Sequence, residues 1–183
     1  MKDDKWDYIS LQQVSGKSGQ YDTYKPYLSN LVNYVKGGAT NKYMKLMLHQ
    51  TWAYASYSNH TDFKNYDNDQ MTMYSAIVNA VNEAASDQNI SIIIPAGTAI
   101  QNGRTSFIGD NFTRLDNGDA TRYYHLETTY GRYTAACVWF EKITGKNVVG
   151  NTYAPKGLDE KTIKVAQTAA HMAVQSPNTV TEL

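Results

Sequence analysis

Reactive chemistry in this sequence centres on His125, in RYYHLETTYGRYTAACVWFEKITG (residues 122–145), just ahead of an amphipathic helix. An imidazole on a loop held by a rigid helix can take and return protons near neutral pH. It can equally well do no more than hydrogen-bond a neighbouring carbonyl. Three polar clusters offer possible partners: Gln12 and Gln13 with Ser15, His49 and Gln50 with Trp52, and the segment from Gly97 to Arg104. Each follows an apolar run that reads as a strand. In an open parallel sheet, ligands bind outside the carboxyl ends of the strands, so the three clusters and His125 are expected at one end of the molecule.

Other motifs give weaker signals. Gly16-Lys17-Ser18 suggests a phosphate loop, but that motif needs a glycine five residues before Gly16, where Leu11 stands. Ser18 lacks the second glycine of Gly-x-Ser-x-Gly because Gln20 occupies its place. His49, His60, Asp62, Asp67 and Asp69 have no known metal-ligand spacing, and no cofactor or metal is expected.

The elements that must position these residues follow from periodicity. WDYISL (residues 6–11), YMKLML (43–48) and ISIII (90–94) read as strands. Helices are expected near 25–36, 69–86, 129–144 and 159–174. In the first, Tyr27, Leu28, Leu31, Val32 and Val35 share a face after Pro26. In the second, Met71, Tyr74, Ile77, Val78 and Val81 form the stripe, with Asp67 and Gln70 as a capping box. In the third, Tyr133, Ala136, Cys137, Phe140 and Ile143 form a face to be buried. Thr128 or Thr129 is expected to cap that helix and Gly145 to close it; Asp159 is expected to cap the fourth. Residues 53–69 and 101–121 read as polar loops and the chain from Pro177 as a frayed tail. The order β-α-β-α-β predicts parallel strands joined by right-handed crossovers.

Composition bounds the rest. A length of 183 residues fits a single domain, and 17 Lys+Arg against 17 Asp+Glu, with no long like-charge run, leaves no footprint for nucleic acid or an anionic membrane. No apolar run is long enough to span a bilayer, so no membrane insertion is expected, and the N-terminus has no signal-peptide pattern. The compartment is left open: the chain is soluble as written, and extracytoplasmic if a longer form carries a signal. The single Cys137 reads as a buried hydrophobe. Fifteen Tyr and three Trp suit half-exposed surfaces and sugar-stacking clefts.

The combination WDYISLQQVSG, MLHQTWAY, IIIPAGTAIQNGR and YHLETTYGRYTAACVWFEKITG resembles the SGNH/GDSL-type hydrolases, and within them an uncharacterised bacterial branch known as a domain of unknown function. The resemblance covers residues 6–145 and implies a flavodoxin-like, SGNH hydrolase-like three-layer α/β/α sandwich with a short, mostly parallel sheet. It further implies an esterase acting on acyl esters, often acetyl groups on carbohydrate. By position, His125 would be the general base, Gln12 or Gln13 the oxyanion donor, and Ser15, His49, Gln50, Trp52 and Arg104 substrate-binding residues.

Two departures qualify that reading. The chain begins at what resembles the family's third strand, so the domain is expected to be truncated at its N-terminus, lacking the serine, and inactive in this form. Arg122 stands three residues before His125 where the family has Asp, leaving Asp119 as the substitute. In the family's strand order, Trp6 to Leu11 would then be an exposed edge, expected to pair with a second copy in a homodimer, to meet a segment of a longer protein, or to be capped otherwise. The alternative function is a non-catalytic carbohydrate-binding or structural protein on the same fold. A nucleotide binder is weaker, for want of a glycine-rich phosphate loop.

Overall fold

The computed structural model describes residues 4–114 and 124–183. Three strands, β1 (Tyr8–Leu11), β2 (Lys45–His49) and β3 (Ile92–Ile94), form a parallel sheet in the order β1-β2-β3. The helices are α1 (Tyr27–Gly38), α2 (Gln70–Asp87), α3 (Ala96–Arg104), α4 (Tyr130–Thr144) and α5 (Glu160–Gln175). Alternation along the strands sends side chains to both faces. Ile9, Leu11, Leu46, Leu48 and Ile93 pack against α1 and α2, while Tyr8, Met47, Ile92 and Ile94 pack against α4 and α5. The result is a three-layer α/β/α sandwich whose β2, with apolar neighbours on both faces, is the central strand.

Local chemistry sets the helix ends. Asp69 caps α2 by accepting the Thr72 amide at 2.7 Å, and Asp159 does the same for Thr162 on α5 at 2.8 Å. Asp67 is not the cap expected of it; it closes a preceding 3-10 turn (Thr61–Tyr66) in a left-handed conformation. The N-terminus of α4 is held by neither Thr128 nor Thr129. Buried Glu127 accepts the Thr129 amide at 2.8 Å and the Gly131 amide at 3.1 Å, which suits a carboxylate at a helix N-terminus. Gly145 ends α4 at φ 69°, as its position predicts.

Several expectations change in the structure. On α1, Leu28 packs into the core with buried Val32 and Val35, but Tyr27 and Leu31 are exposed, so the predicted single face is two stripes. On α2, Met71 is exposed and Met73 takes its place in the core. On α4 the buried face is rotated to Tyr133, Thr134, Cys137, Val138 and Glu141, leaving Ala136 and Ile143 exposed. The polar-looking segment after β2 buries Ala53, Tyr54, Ala55, Phe63 and Tyr66. The C-terminal tail is docked: the Thr181 amide donates to Asn102 Oδ1 at 2.7 Å, and Thr98 Oγ1 donates to the Pro177 carbonyl at 2.6 Å.

Helix α3 replaces a predicted loop. All nine of its residues are buried. Its start fits only because residue 97 is glycine: a Cβ there would lie 2.0 Å from the Thr51 carbonyl oxygen. Gly97→Ala is therefore expected to lower stability by about 2 kcal/mol through forced backbone displacement. An unchanged urea midpoint would show that the approach of α3 to residue 51 is looser than this.

Candidate functional site

The carboxyl ends of the strands lead into the three clusters expected there. After β1, the turn Ser15–Lys17 and buried Ser18 face residues that follow β2. Ser15 Oγ is 3.2 Å from the Tyr54 hydroxyl, and Ser18 Oγ accepts Thr51 Oγ1 at 2.7 Å while donating to the Ser15 carbonyl at 2.7 Å. Tyr66 clasps the same turn, donating to the Gly16 carbonyl at 2.9 Å and accepting the Gly19 amide at 3.1 Å.

His125 is exposed at the rim of this end. Its neighbour Tyr124 anchors it: the Tyr124 carbonyl accepts Trp52 Nε1 at 2.9 Å, and its ring meets those of Tyr54 at 5.7 Å and His60 at 4.6 Å. The His125 ring lies 4.5 Å from the Tyr124 ring. His60 is oriented by the Asp62 amide, which donates to Nδ1 at 3.1 Å; this places the proton of the neutral ring on Nε2. Burial pushes the Tyr54 hydroxyl up to about 12, so it stays protonated. The arrangement joins His125, Tyr124, His60, Tyr54 and Ser15 through successive contacts.

The remaining candidates are placed differently. Gln12 is exposed on the lip of a groove. Gln13 is engaged: its amide nitrogen donates to the Thr23 carbonyl and hydroxyl, each at 3.1 Å, and its oxygen accepts the Val14 amide at 2.8 Å. Gln50 is buried and its oxygen caps α3 through the Thr98 amide at 2.9 Å. His49 is also buried, its ring stacked on Trp139 at 5.7 Å and edge-on to Trp52 at 6.3 Å. Arg104 is a core residue that binds the Ala53 carbonyl, Thr113 and Gln101 and pairs with Asp110. Asp119 and Arg122 lie outside the described residues.

Tyr54, His60 and Tyr124 are the residues of this cluster that sequence reasoning did not select for the site. The available signal was the density of Tyr and His after β2, which resembled an ordinary polar loop. Among the described residues no cluster of His, Cys, Asp and Glu could hold a metal ion, and no helix is long and apolar enough to cross a membrane.

Fold and site together define an α/β/α sandwich with an imidazole-bearing aromatic cluster at the carboxyl end of a parallel sheet. The chain belongs to the family described as Domain of unknown function (DUF4886), whose model matches residues 1–173. It is similar to a crystal structure of a DUF4886 family protein from Bacteroides uniformis ATCC 8492, with a TM-score of 0.92 and 56% identity over 99% of this chain and 67% of that chain. No curated protein matches the chain.

Proposed function

We propose that this chain is the larger part of an SGNH-type acyl-ester hydrolase domain, with carbohydrate acetyl esters as the substrate class. The observation that carries this reading is the fixing of exposed His125 at the carboxyl end of the parallel sheet by Tyr124, beside Trp52, His60 and Tyr54. In this reading a serine outside residues 1–183 attacks the ester carbonyl. His125 takes its proton and passes it to the leaving alcohol, and the acyl-serine is then hydrolysed by water activated by the same imidazole. The half-buried rings of Trp52, His60 and Tyr124 would offer apolar faces with polar tips to a sugar, with buried Tyr54 beneath them.

A second reading, carbohydrate binding without catalysis, is favoured by one observation: the Gln13 amide is engaged with Thr23 and Val14. Hydrolysis of p-nitrophenyl acetate separates the two. A longer form carrying a serine after an added strand is expected to turn over the ester, the 183-residue chain is not, and His125→Ala in the longer form removes turnover. A longer form that stays at background, or a His125→Ala variant with unchanged rate, sinks the hydrolase reading.

A further inference from the structure

Asp62 is a half-buried carboxylate seated on the turn that follows β1. A Cβ at residue 16 would lie 2.1 Å from Asp62 Oδ2 and 2.7 Å from Asp62 Cβ, whereas the backbone of Gly16 is not among those with positive φ. The Asp62 side chain, and not a turn conformation, is therefore what requires glycine there. Burial first, and the Asp62 charge with it, push the Tyr54 and Tyr66 hydroxyls up. Among the described residues, however, the Asp62 carboxylate accepts no hydrogen bond and makes no ion pair.

Two further groups beside it are uncommitted. The Asp62 amide donates to His60 Nδ1 at 3.1 Å, so the neutral ring carries its proton on Nε2, and no acceptor among the described residues meets that proton. Ser15 and Tyr54 share one hydrogen bond of 3.2 Å between two hydroxyls, which leaves one hydroxyl proton over. These groups border one patch. Asp62 sits on Gly16, Ser15 precedes Gly16, and the His60 ring packs 4.8 Å from the ring of Tyr54, whose hydroxyl meets Ser15. Ser15, His60 and Asp62 are all half-buried, so solvent reaches the patch, while Tyr54 is fully buried beneath it.

The partners that these groups lack define a ligand. An anion is repelled by Asp62, and a cation suits Asp62 but opposes the His60 N–H. A hydroxyl both donates and accepts, so two neighbouring hydroxyls satisfy an acceptor and a donor without bringing charge. We propose that Asp62 and His60, with Ser15, form a subsite for a vicinal diol of a sugar, Asp62 accepting from one hydroxyl and His60 Nε2 donating to the next. This subsite rests on the carbohydrate reading and supplies the residues that recognise the sugar, with no catalytic step. Hydrogen bonds to an ionised group are the stronger kind, so Asp62 carries the larger share of the binding.

The test titrates the 183-residue chain with methyl α-D-mannopyranoside and methyl β-D-glucopyranoside and follows the amide resonances of residues 15, 16 and 62 by NMR. A saturable shift with at least one glycoside is expected. Asp62→Asn keeps the shape seated on Gly16 and removes the charge. His60→Asn keeps an acceptor for the residue-62 amide and removes the Nε2 proton. Each is expected to weaken binding about tenfold or more. No saturable shift with either glycoside overturns the proposal, and so does parental affinity in both variants. Saturation by tetramethylammonium at a lower concentration than by the glycosides also overturns it, since the carboxylate and rings would then hold a cation. Glycoside binding that Asp62→Asn weakens, in a protein whose longer form leaves p-nitrophenyl acetate at background, supports the subsite and removes only the hydrolase reading.

Discussion

Arg104→Met is expected to lower the unfolding free energy by about 3–5 kcal/mol, the range for leaving one member of a buried ion pair alone. The guanidinium is buried and shares three elements: Nη2 donates to the Ala53 carbonyl at 2.9 Å and Thr113 Oγ1 at 3.0 Å, and Nη1 donates to Gln101 at 2.9 Å. Its Nε lies 3.1 Å from Asp110 Oδ1 but is not aligned as a hydrogen bond, so this contact is an ion pair. Burial pulls the guanidinium down to about 10, which still leaves it charged at neutral pH. Methionine fills much of the space and meets none of the four oxygens.

Asp110 makes the loss pH-dependent. Burial pushes its carboxyl up, but hydrogen bonds from Ser56 and Gln70 and the Arg104 charge outweigh burial and hold it below the ordinary carboxylate value. A depressed carboxylate stabilises the fold above its unfolded value and loses that contribution as pH falls through its folded value. Removing Arg104 raises the folded value towards the unfolded one, so the gap that makes acid destabilising narrows and the variant is expected to lose less further stability than the parent between neutral pH and about pH 3. Urea titrations from neutral pH to about pH 3 check both parts. A loss under about 1 kcal/mol, or acid limbs that coincide, would mean that Arg104 is better solvated than its burial indicates.

Arg104 also shows what sequence could and could not provide. The helix α2 was legible from its stripe of Tyr74, Ile77, Val78 and Val81, although its cap is Asp69 and not Asp67, and α5, with a weak stripe, from its cap Asp159; the strands were legible as short apolar runs. The sequence AGTAIQNGR has no such stripe and contains two glycines, so α3 reads as a loop with a ligand-facing arginine. It is helical because Gln50 caps it and α2, α4 and α5 surround it, and a helix enclosed on all sides has no amphipathic signature. Its glycines are sites of close approach: a Cβ on Gly103 would lie 2.5 Å from the Phe112 ring. Intrinsic propensity is overridden by tertiary contacts.

The candidate site was legible in outline for a related reason. Strand ends are visible in sequence, so the end of the sheet carrying the polar clusters follows from the parallel order. Which polar side chains are spent internally does not. Gln13 and Arg104 are of binding-residue type, yet their hydrogen bonds close on Thr23 and Ala53, while Gln50 spends its oxygen on Thr98 and its buried Nε2 has no hydrogen-bond partner among the described residues. The docking of the tail on Asn102 is equally unreadable, since single side-chain bonds leave no period.

His49 carries the second large expectation, and it follows from burial without compensation. The ring is 9% exposed, between Trp139 and Trp52, and among the described residues its Nδ1 has no hydrogen-bond partner. Burial pulls the imidazole from its ordinary value of 6.5 down to about 4, because the apolar surroundings disfavour the cation. The folded value lies below the unfolded one, so as pH falls the unfolded chain takes up the proton first. Stability attributable to this residue is therefore full above about pH 6.5, declines towards pH 4 and is flat below, with a total loss of about 3 kcal/mol at 1.36 kcal/mol per unit. His49→Leu keeps an apolar side chain between the two tryptophans and has no proton to bind. The difference in unfolding free energy between variant and parent is expected to move in the variant's favour by about 3 kcal/mol between pH 7 and pH 4, whatever the constant packing offset. Parallel stability curves would show that His49 is protonated in the fold at an ordinary pH, and hence that water or an acceptor reaches the ring.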